Sequence, residues 1–256
     1  MGSKEARHEF ILKQLNETGK INAAKISSEL DISLVTIRKD LRELEHAGKL
    51  VRVHGGACLS FSQRTGPVEF DSTDTKSIVA KKAASLIKDG EIVFLGSGTT
   101  CIEIAKQIKQ SHKHLTVVSN NLNILTELAG TPTFSILGTG GQIDSLENFS
   151  VFHGDFVISF LDKILVQKAF LTADGVSLKN GYTTYNRSEF HLYESIRKIS
   201  EEMIFVVEGR KFNKNSVLRL AEMDSINTIV SDTSIPEEFK EYYRKFGKKI
   251  YIASNE

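Results

Sequence analysis

The sequence predicts two domains, an N-terminal winged helix-turn-helix and a C-terminal α/β domain on a mostly parallel sheet. Three observations lead there. Residues 1–57 place three short helical patterns ahead of a strand and a Gly-Gly turn. Residues 58–75 lack clear periodicity and hold Ser, Gly66, Pro67 and two Asp, as a linking arm would. Over residues 76–256 short apolar runs alternate with helical spacing, the pattern of parallel strands covered by helices.

In the first domain Ile11, Leu12 and Leu15 recur at helical spacing after Arg7, and that helix should end near Gly19. Asn22 can cap a second helix over 23–30, with Ile26 and Leu30 inward. A tight turn through Asp31 and Ile32 leads to Ser33, which caps a third helix running to about His46 before Gly48 stops it. Val35, Ile37, Leu41 and Leu44 should form its packing side. Lys49 to Val53 reads as a strand, and His54-Gly55-Gly56 as the turn of a two-stranded wing.

In the second domain Ile78, Ala80, Ala83, Ala84 and Ile87 mark a helix. Strands are expected at 92–95, 115–118, 134–137, 164–171, 203–207 and 226–230, with helical spacing at 101–108 and 122–128.

Composition narrows the function classes. The chain has 256 residues, about 40% hydrophobic and 25% charged, as in ordinary soluble globular proteins. Lys plus Arg is 33 against Asp plus Glu 32, a formal net charge of +1, so DNA affinity must come from local cations. Cys58 and Cys101 are the only cysteines and form no metal-type spacing, so no metal or cofactor is expected. No apolar run has the length of a membrane span and the start lacks a signal-peptide core, so a cytoplasmic protein is expected.

The third helix carries the first function. In a helix-turn-helix the second helix of the motif enters the major groove by its N-terminal end. Ser33 and the free N–H groups beside it suit a phosphate, and Thr36, Arg38, Lys39 and Arg42 suit DNA, with Arg38 the candidate for a guanine edge. Arg52 and His54 on the wing would reach phosphate or the minor groove. The competing reading is a salt-bridged surface helix or a protein-interaction module, since Asp40, Glu43 and Glu45 alternate with the cations.

Polar turns after the apolar runs carry the second function. Gly96-Ser97-Gly98-Thr99-Thr100 joins a strand to a helix, exposing N–H groups and hydroxyls that suit a phosphate monoester. It is neither a Walker loop nor a dinucleotide fingerprint. Ser119-Asn120-Asn121, Gly140-Gly141, Asp174 and Lys211 lie in further turns, which a parallel sheet gathers on one rim. Asp174 would bind sugar hydroxyls and Lys211 would offset phosphate charge. Taken singly, the Asn and Asp residues are equally well explained as turn or cap residues.

Residues 7–57 resemble the winged helix-turn-helix of the DeoR/GlpR family of bacterial transcription regulators, through Arg7, Ile11, Leu15, then Ser33-x-x-Thr36-Ile37-Arg38-Lys39-Asp40-Leu41 and Arg52-Val53-His54-Gly55-Gly56-Ala57. The rest resembles that family's effector domain, itself similar in fold to ribose-5-phosphate isomerase. The parallels are Gly98-Thr99-Thr100, Ser119-Asn120-Asn121-Leu122, Gly140-Gly141, Ala169-Phe170-Leu171, Ala173-Asp174-Gly175, Glu189 and Lys211-Phe212. The resemblance implies an oligomeric repressor, dimer or tetramer, that binds a double-stranded operator and is released by a phosphorylated sugar or related metabolite. It assigns no catalytic residue. The alternative is a sugar-phosphate isomerase-like enzyme with an appended DNA-binding domain, using Asp174, Glu189 and Lys211. Three departures from the family pattern bear on the ligand: Glu208-Gly209-Arg210 where Asp-Ser-Ser is common, Glu194 near a usual Arg, and no Asp near Gly96.

Overall fold

A computed structural model describes residues 4–18, 20–46, 49–53, 55–58, 73–145 and 149–254. The described residues divide into two compact units, one of residues up to 58 and one of residues from 73 on. His54 and nearly all of the expected 58–75 arm lie outside the described residues.

The first unit runs α1 (Lys4–Thr18), β1 (Lys20–Asn22), α2 (Ala23–Leu30), α3 (Leu34–His46), β2 (Val51–Val53) and β3 (Gly56–Cys58). Asn22 caps α2 by accepting from the N–H groups of Ala24 and Lys25 at 2.9 and 3.2 Å. Asp31 ends α2 in the left-handed region at φ 54°, one of the few conformations Asp tolerates better than most residues. Ser33 caps α3, its Oγ accepting from Thr36 N at 3.1 Å. Ile11, Leu15, Ile26, Ile37, Leu41, Leu44, Leu50 and Ala57 form one buried core. The wing has a third strand that the sequence does not announce, with order β1-β3-β2. Gly56 permits it: a Cβ there would lie 1.9 Å from the Ile21 carbonyl oxygen.

Val35 does not join the packing side of α3. It is 77% exposed, whereas Ile37, Leu41 and Leu44 are buried. At about 100° per residue, positions 37, 41 and 44 share one side and position 35 falls opposite them.

The second unit begins with α4 (Thr73–Ala84), β4 (Ile92–Leu95), α5 (Thr99–Ser111), β5 (Leu115–Ser119), α6 (Leu122–Leu128) and β6 (Phe134–Gly138). The hairpin β7 (Gln142–Ser145) and β8 (Ser150–His153) follows, then α7 (Asp155–Leu161) and β9 (Val166–Leu171). Next come β10 (Gly175–Ser177), β11 (Gly181–Thr184), α8 (Arg187–Ile199), β12 (Ser200–Val206) and β13 (Leu218–Ala221). The last elements are β14 (Thr228–Asp232), α9 (Glu237–Lys245) and β15 (Lys249–Ala253). The main sheet has seven strands in the order β15-β14-β12-β9-β4-β5-β6, and every pairing in it is parallel. All six expected runs are strands of this sheet, and β15 adds an edge.

Period-2 alternation fills both faces of the sheet. Val93, Leu95, Phe170, Ile204, Val206 and Val230 join α4, α5 and α6 side chains in one core. Phe94, Ala169, Leu171, Phe205 and Ile229 join side chains of α7, α8 and α9 in the other. Chain order reverses between β4 and β9: β5 and β6 extend one way, β9, β12, β14 and β15 the other. In open α/β sheets ligands bind at the carboxyl ends of the strands, where the order reverses.

Candidate nucleic-acid interface and ligand rim

In the first unit Arg38, Lys39 and Arg42 are exposed on α3, and none hydrogen-bonds or ion-pairs with another described residue. Arg38, Arg42 and Arg52 line an open groove of about 490 Å³ between α3 and the wing, floored by Ala23, Gly55 and Gly56. Three guanidiniums in one groove concentrate positive charge on an otherwise near-neutral chain, a pattern that suits phosphates. Arg52 is held in place by Glu45, at 3.3 Å between its Nε and Oε2. The Ser33 and Thr36 hydroxyls lie 2.8 Å apart and bond each other, so in this state the cap is filled from within the helix.

Asp40 is not on the solvent face. Its side chain is 3% exposed, and Arg7 grips it through Nε at 2.8 Å and Nη2 at 3.1 Å. His8 Nε2 lies 3.4 Å from the same carboxylate. His8, Asp40 and Glu43 place ligand-type atoms within 4.8 Å of one another, but Arg7 already occupies Asp40 and Lys4 contacts Glu43 at 2.7 Å.

The second unit gathers polar groups at the β4/β9 switch point. Ser97, after β4, donates through Oγ to Glu189 Oε1 at 2.7 Å. Asn186 Nδ2 donates to the same Ser97 Oγ at 3.3 Å. Thr184 Oγ1 lies 2.9 Å from Asp174 Oδ2 and 3.1 Å from Glu189 Oε2. One hydroxyl proton serves only one of two carboxylates. Burial, helped by the nearby Asp174 charge, pushes the Glu189 carboxyl up to about 7 against the opposing Ser97 and Thr184 hydrogen bonds and the Lys211 charge. When Glu189 is protonated it can donate to Thr184, leaving the threonine proton for Asp174. Asn186 earns this position by capping α8, accepting from Ser188 N at 2.9 Å.

Helix α5 opens beside this network. Its N-cap is Gly98 at φ 117°, with no side-chain cap. A Cβ at Gly98 would lie 2.7 Å from Thr172 Oγ1. Thr99 is partly exposed and Thr100 buried. On the neighbouring turn Lys211 Nζ donates to the Ala173 carbonyl at 2.9 Å.

Other predicted rim residues have structural partners. Ser119 is buried and donates to the Leu95 carbonyl at 2.7 Å. Asn121 caps α6, accepting from Asn123 N at 2.9 Å. Asn120 donates to the Phe152 carbonyl at 3.2 Å and also borders the small switch-point cavity. Gly140 and Gly141 have φ of 66° and 112°; a Cβ at Gly141 would lie 2.8 Å from the His153 carbonyl oxygen.

Two of the three departures have physical accounts. Arg210 pairs with Glu208 through two hydrogen bonds of 2.9 and 3.1 Å, and the Glu208 side chain is 1% exposed. The two substitutions therefore compensate each other. Gly209 donates to Asp232 at 2.6 Å in a site where a Cβ would lie 2.3 Å from Ser234 Oγ. Glu194 faces water and pairs with Arg197.

Sequence reasoning missed four residues near the rim. Lys76 on α4 sits close enough to Glu208, Arg210 and Lys211 to feel their charges, and burial pulls its pKa down. His153, Arg187 and His191 line a cleft of about 400 Å³. That cleft shares Leu192 with the switch-point cavity of about 10 Å³, room for one water at most. The only sequence signal was Arg187 and His191 flanking Glu189 on one helix.

Residues 7–63 match the DeoR-like helix-turn-helix domain, and residues 71–233 the DeoR C terminal sensor domain. The chain is a member of the DeoR family of DNA-binding transcription regulators. It is 32% identical to a putative aga operon transcriptional repressor of Escherichia coli O157:H7, over 96% of this chain and 93% of that protein. It is 33% identical to the lactose phosphotransferase system repressor of Lactococcus lactis subsp. lactis, over 94% of this chain and 97% of that protein. Ribose 5 phosphate isomerase A from Neisseria gonorrhoeae aligns at 15% identity and a TM-score of 0.40, covering 54% of this chain and 52% of that one. A likeness that slight bears on no function. Among the described residues no helix is long and apolar enough to cross a membrane.

Proposed function

We propose that this DeoR-family member represses sugar-utilisation genes in the cytoplasm and leaves its operator when a phosphorylated sugar, or a related metabolite, binds the rim. The carrying observation is the convergence of Ser97, Asp174, Thr184 and Glu189 with the uncapped start of α5 at the switch point. The α5 N–H groups and Lys211 suit the phosphate. Asp174 suits sugar hydroxyls, and the sugar extends toward the cleft of His153, Arg187 and His191. Two relatives named as repressors of an aga operon and a lactose phosphotransferase system support the sugar reading. Release follows from linkage: the ligand binds the DNA-incompetent arrangement more tightly than the competent one. A homo-oligomer, dimer or tetramer, would place paired recognition helices on a palindromic operator.

A thermal-melt panel of phosphorylated sugars, each beside its free sugar, tests the ligand. One phosphorylated sugar should raise the melting temperature while its free form does not. No shift across a broad panel contradicts the proposal.

One observation favours a second reading, an isomerase-like activity: Glu189 is held near neutrality, where a carboxylate can exchange a proton next to a carbonyl. Turnover of a pentose phosphate, lost in Glu189→Gln, would support it. Absence of turnover retires it.

A further inference from the structure

We infer that Val35 is a specificity-determining residue that reads the 5-methyl group of a thymine in the major groove. This rests on DNA recognition through α3.

Val35 is 77% exposed in the first turn of α3. Positions 35, 38, 39 and 42 follow the i, i+3, i+4, i+7 rule, so Val35 shares one stripe with Arg38, Lys39 and Arg42. Arg38 and Arg42 line the groove toward the wing. Val35 is therefore the apolar member of an otherwise cationic face, at the helix end that approaches base edges.

Folding gives no reason for valine at this place. An exposed β-branched residue lowers helix propensity and, at this exposure, buries little, and an acidic residue in the first turn would suit the helix dipole better. Recognition does give a reason. Thymine presents a methyl group in the major groove, and an apolar side chain is its matching partner. In a helix valine has essentially one rotamer, so little side-chain entropy is lost on contact. Arg38 and Val35, one turn apart, can thus read adjacent base pairs by different chemistry.

The test uses the full-length protein. It selects sites from a random duplex library, and the enriched site is remade with uracil at each thymine in turn, which removes only the methyl. At one thymine per half-site the loss should be about fourfold, the worth of one buried methylene-sized group. The same duplex should cost Val35→Ala almost nothing further, and Val35→Thr, which keeps one methyl, should retain part of the loss. Equal losses in the wild type and Val35→Ala, or no sensitive thymine, would overturn the inference. A library that enriches nothing contradicts sequence-specific DNA reading altogether, and this inference with it. That failure is visible before any variant is made.

Discussion

Arg7 and Asp40 lock α1 to α3 through two hydrogen bonds, Nε to Oδ2 at 2.8 Å and Nη2 to Oδ1 at 3.1 Å. The carboxylate is 3% exposed and the guanidinium 15% exposed. Breaking such a pair strands a buried charge, which costs about 3–5 kcal/mol, whereas replacing both partners with apolar residues is often neutral. Arg7→Ala should therefore destabilise the N-terminal unit by about 3 kcal/mol in urea melts. Arg7→Met with Asp40→Leu should recover most of that loss. Additive losses in the double variant would contradict a pairwise lock.

The exposed cations on α3 should divide by role. A residue that touches only phosphate changes the salt slope, and one that reads a base changes sequence preference. Arg42→Ala should weaken all duplexes alike and lower the salt slope by about one. Arg38→Ala should relax preference at one base pair per half-site, a loss of about 1–3 kcal/mol. Anisotropy titrations over a range of salt separate the two. Unchanged affinity and specificity for Arg38→Ala would favour the protein-interaction reading of the domain.

Glu189 makes stability depend on pH. Its pKa rises on folding from 4.5 to about 7, so the folded state binds this proton more tightly. The contribution is complete below about pH 4.5 and is lost as pH climbs through about 7. The effect should be on the order of 2 kcal/mol, discounted because the residue keeps some contact with solvent. Glu189→Gln should remove this dependence in melts from pH 5 to 8. Phosphorylated-ligand affinity should also fall above about pH 7 as a carboxylate forms beside the phosphate, and less so in the Gln variant. A wild type whose stability rises through that window would refute the assignment.

Gly56 sets the wing. A Cβ there would meet the Ile21 carbonyl at 1.9 Å, and that carbonyl belongs to backbone paired with β3. Gly56→Ala should cost the N-terminal unit about 1–3 kcal/mol through overpacking and displace Arg52 from the groove. Operator affinity should drop while the response of the second unit to its ligand stays intact. Unchanged DNA binding would show that the β1–β3 approach is dispensable.

Much of this architecture is legible in the residues, for identifiable reasons. Asn22 fixed the start of α2 because a cap residue acts locally. Six of the seven sheet strands read as apolar runs because both faces of a parallel sheet are buried. β1 was not legible: three residues with one apolar side chain carry no period, and the strand exists because a distant glycine lets backbone approach. The β7 strand, exposed throughout, shows no alternation because neither of its faces is buried. Val35 and Asp40 invert the simple rule, an apolar residue outside and a charged one inside. Periodicity could not reveal that Arg7, 33 positions away, accompanies Asp40 into the interior. At the carboxyl rim of the sheet, glycine turns after strands were legible because parallel strands place their carboxyl ends together. Lys76, His153 and Arg187 belong to no motif, and only the fold brings them near it.

The most direct measurement is the release of operator DNA from the full-length protein by the phosphorylated sugar that stabilises it. Wild type should release the duplex as that ligand is titrated. Lys211→Ala should need about 10–100-fold more, the worth of a charge-assisted hydrogen bond to phosphate, while binding DNA normally without ligand. If the stabilising ligand leaves operator affinity unchanged, or Lys211→Ala responds like the wild type, the rim does not govern DNA binding.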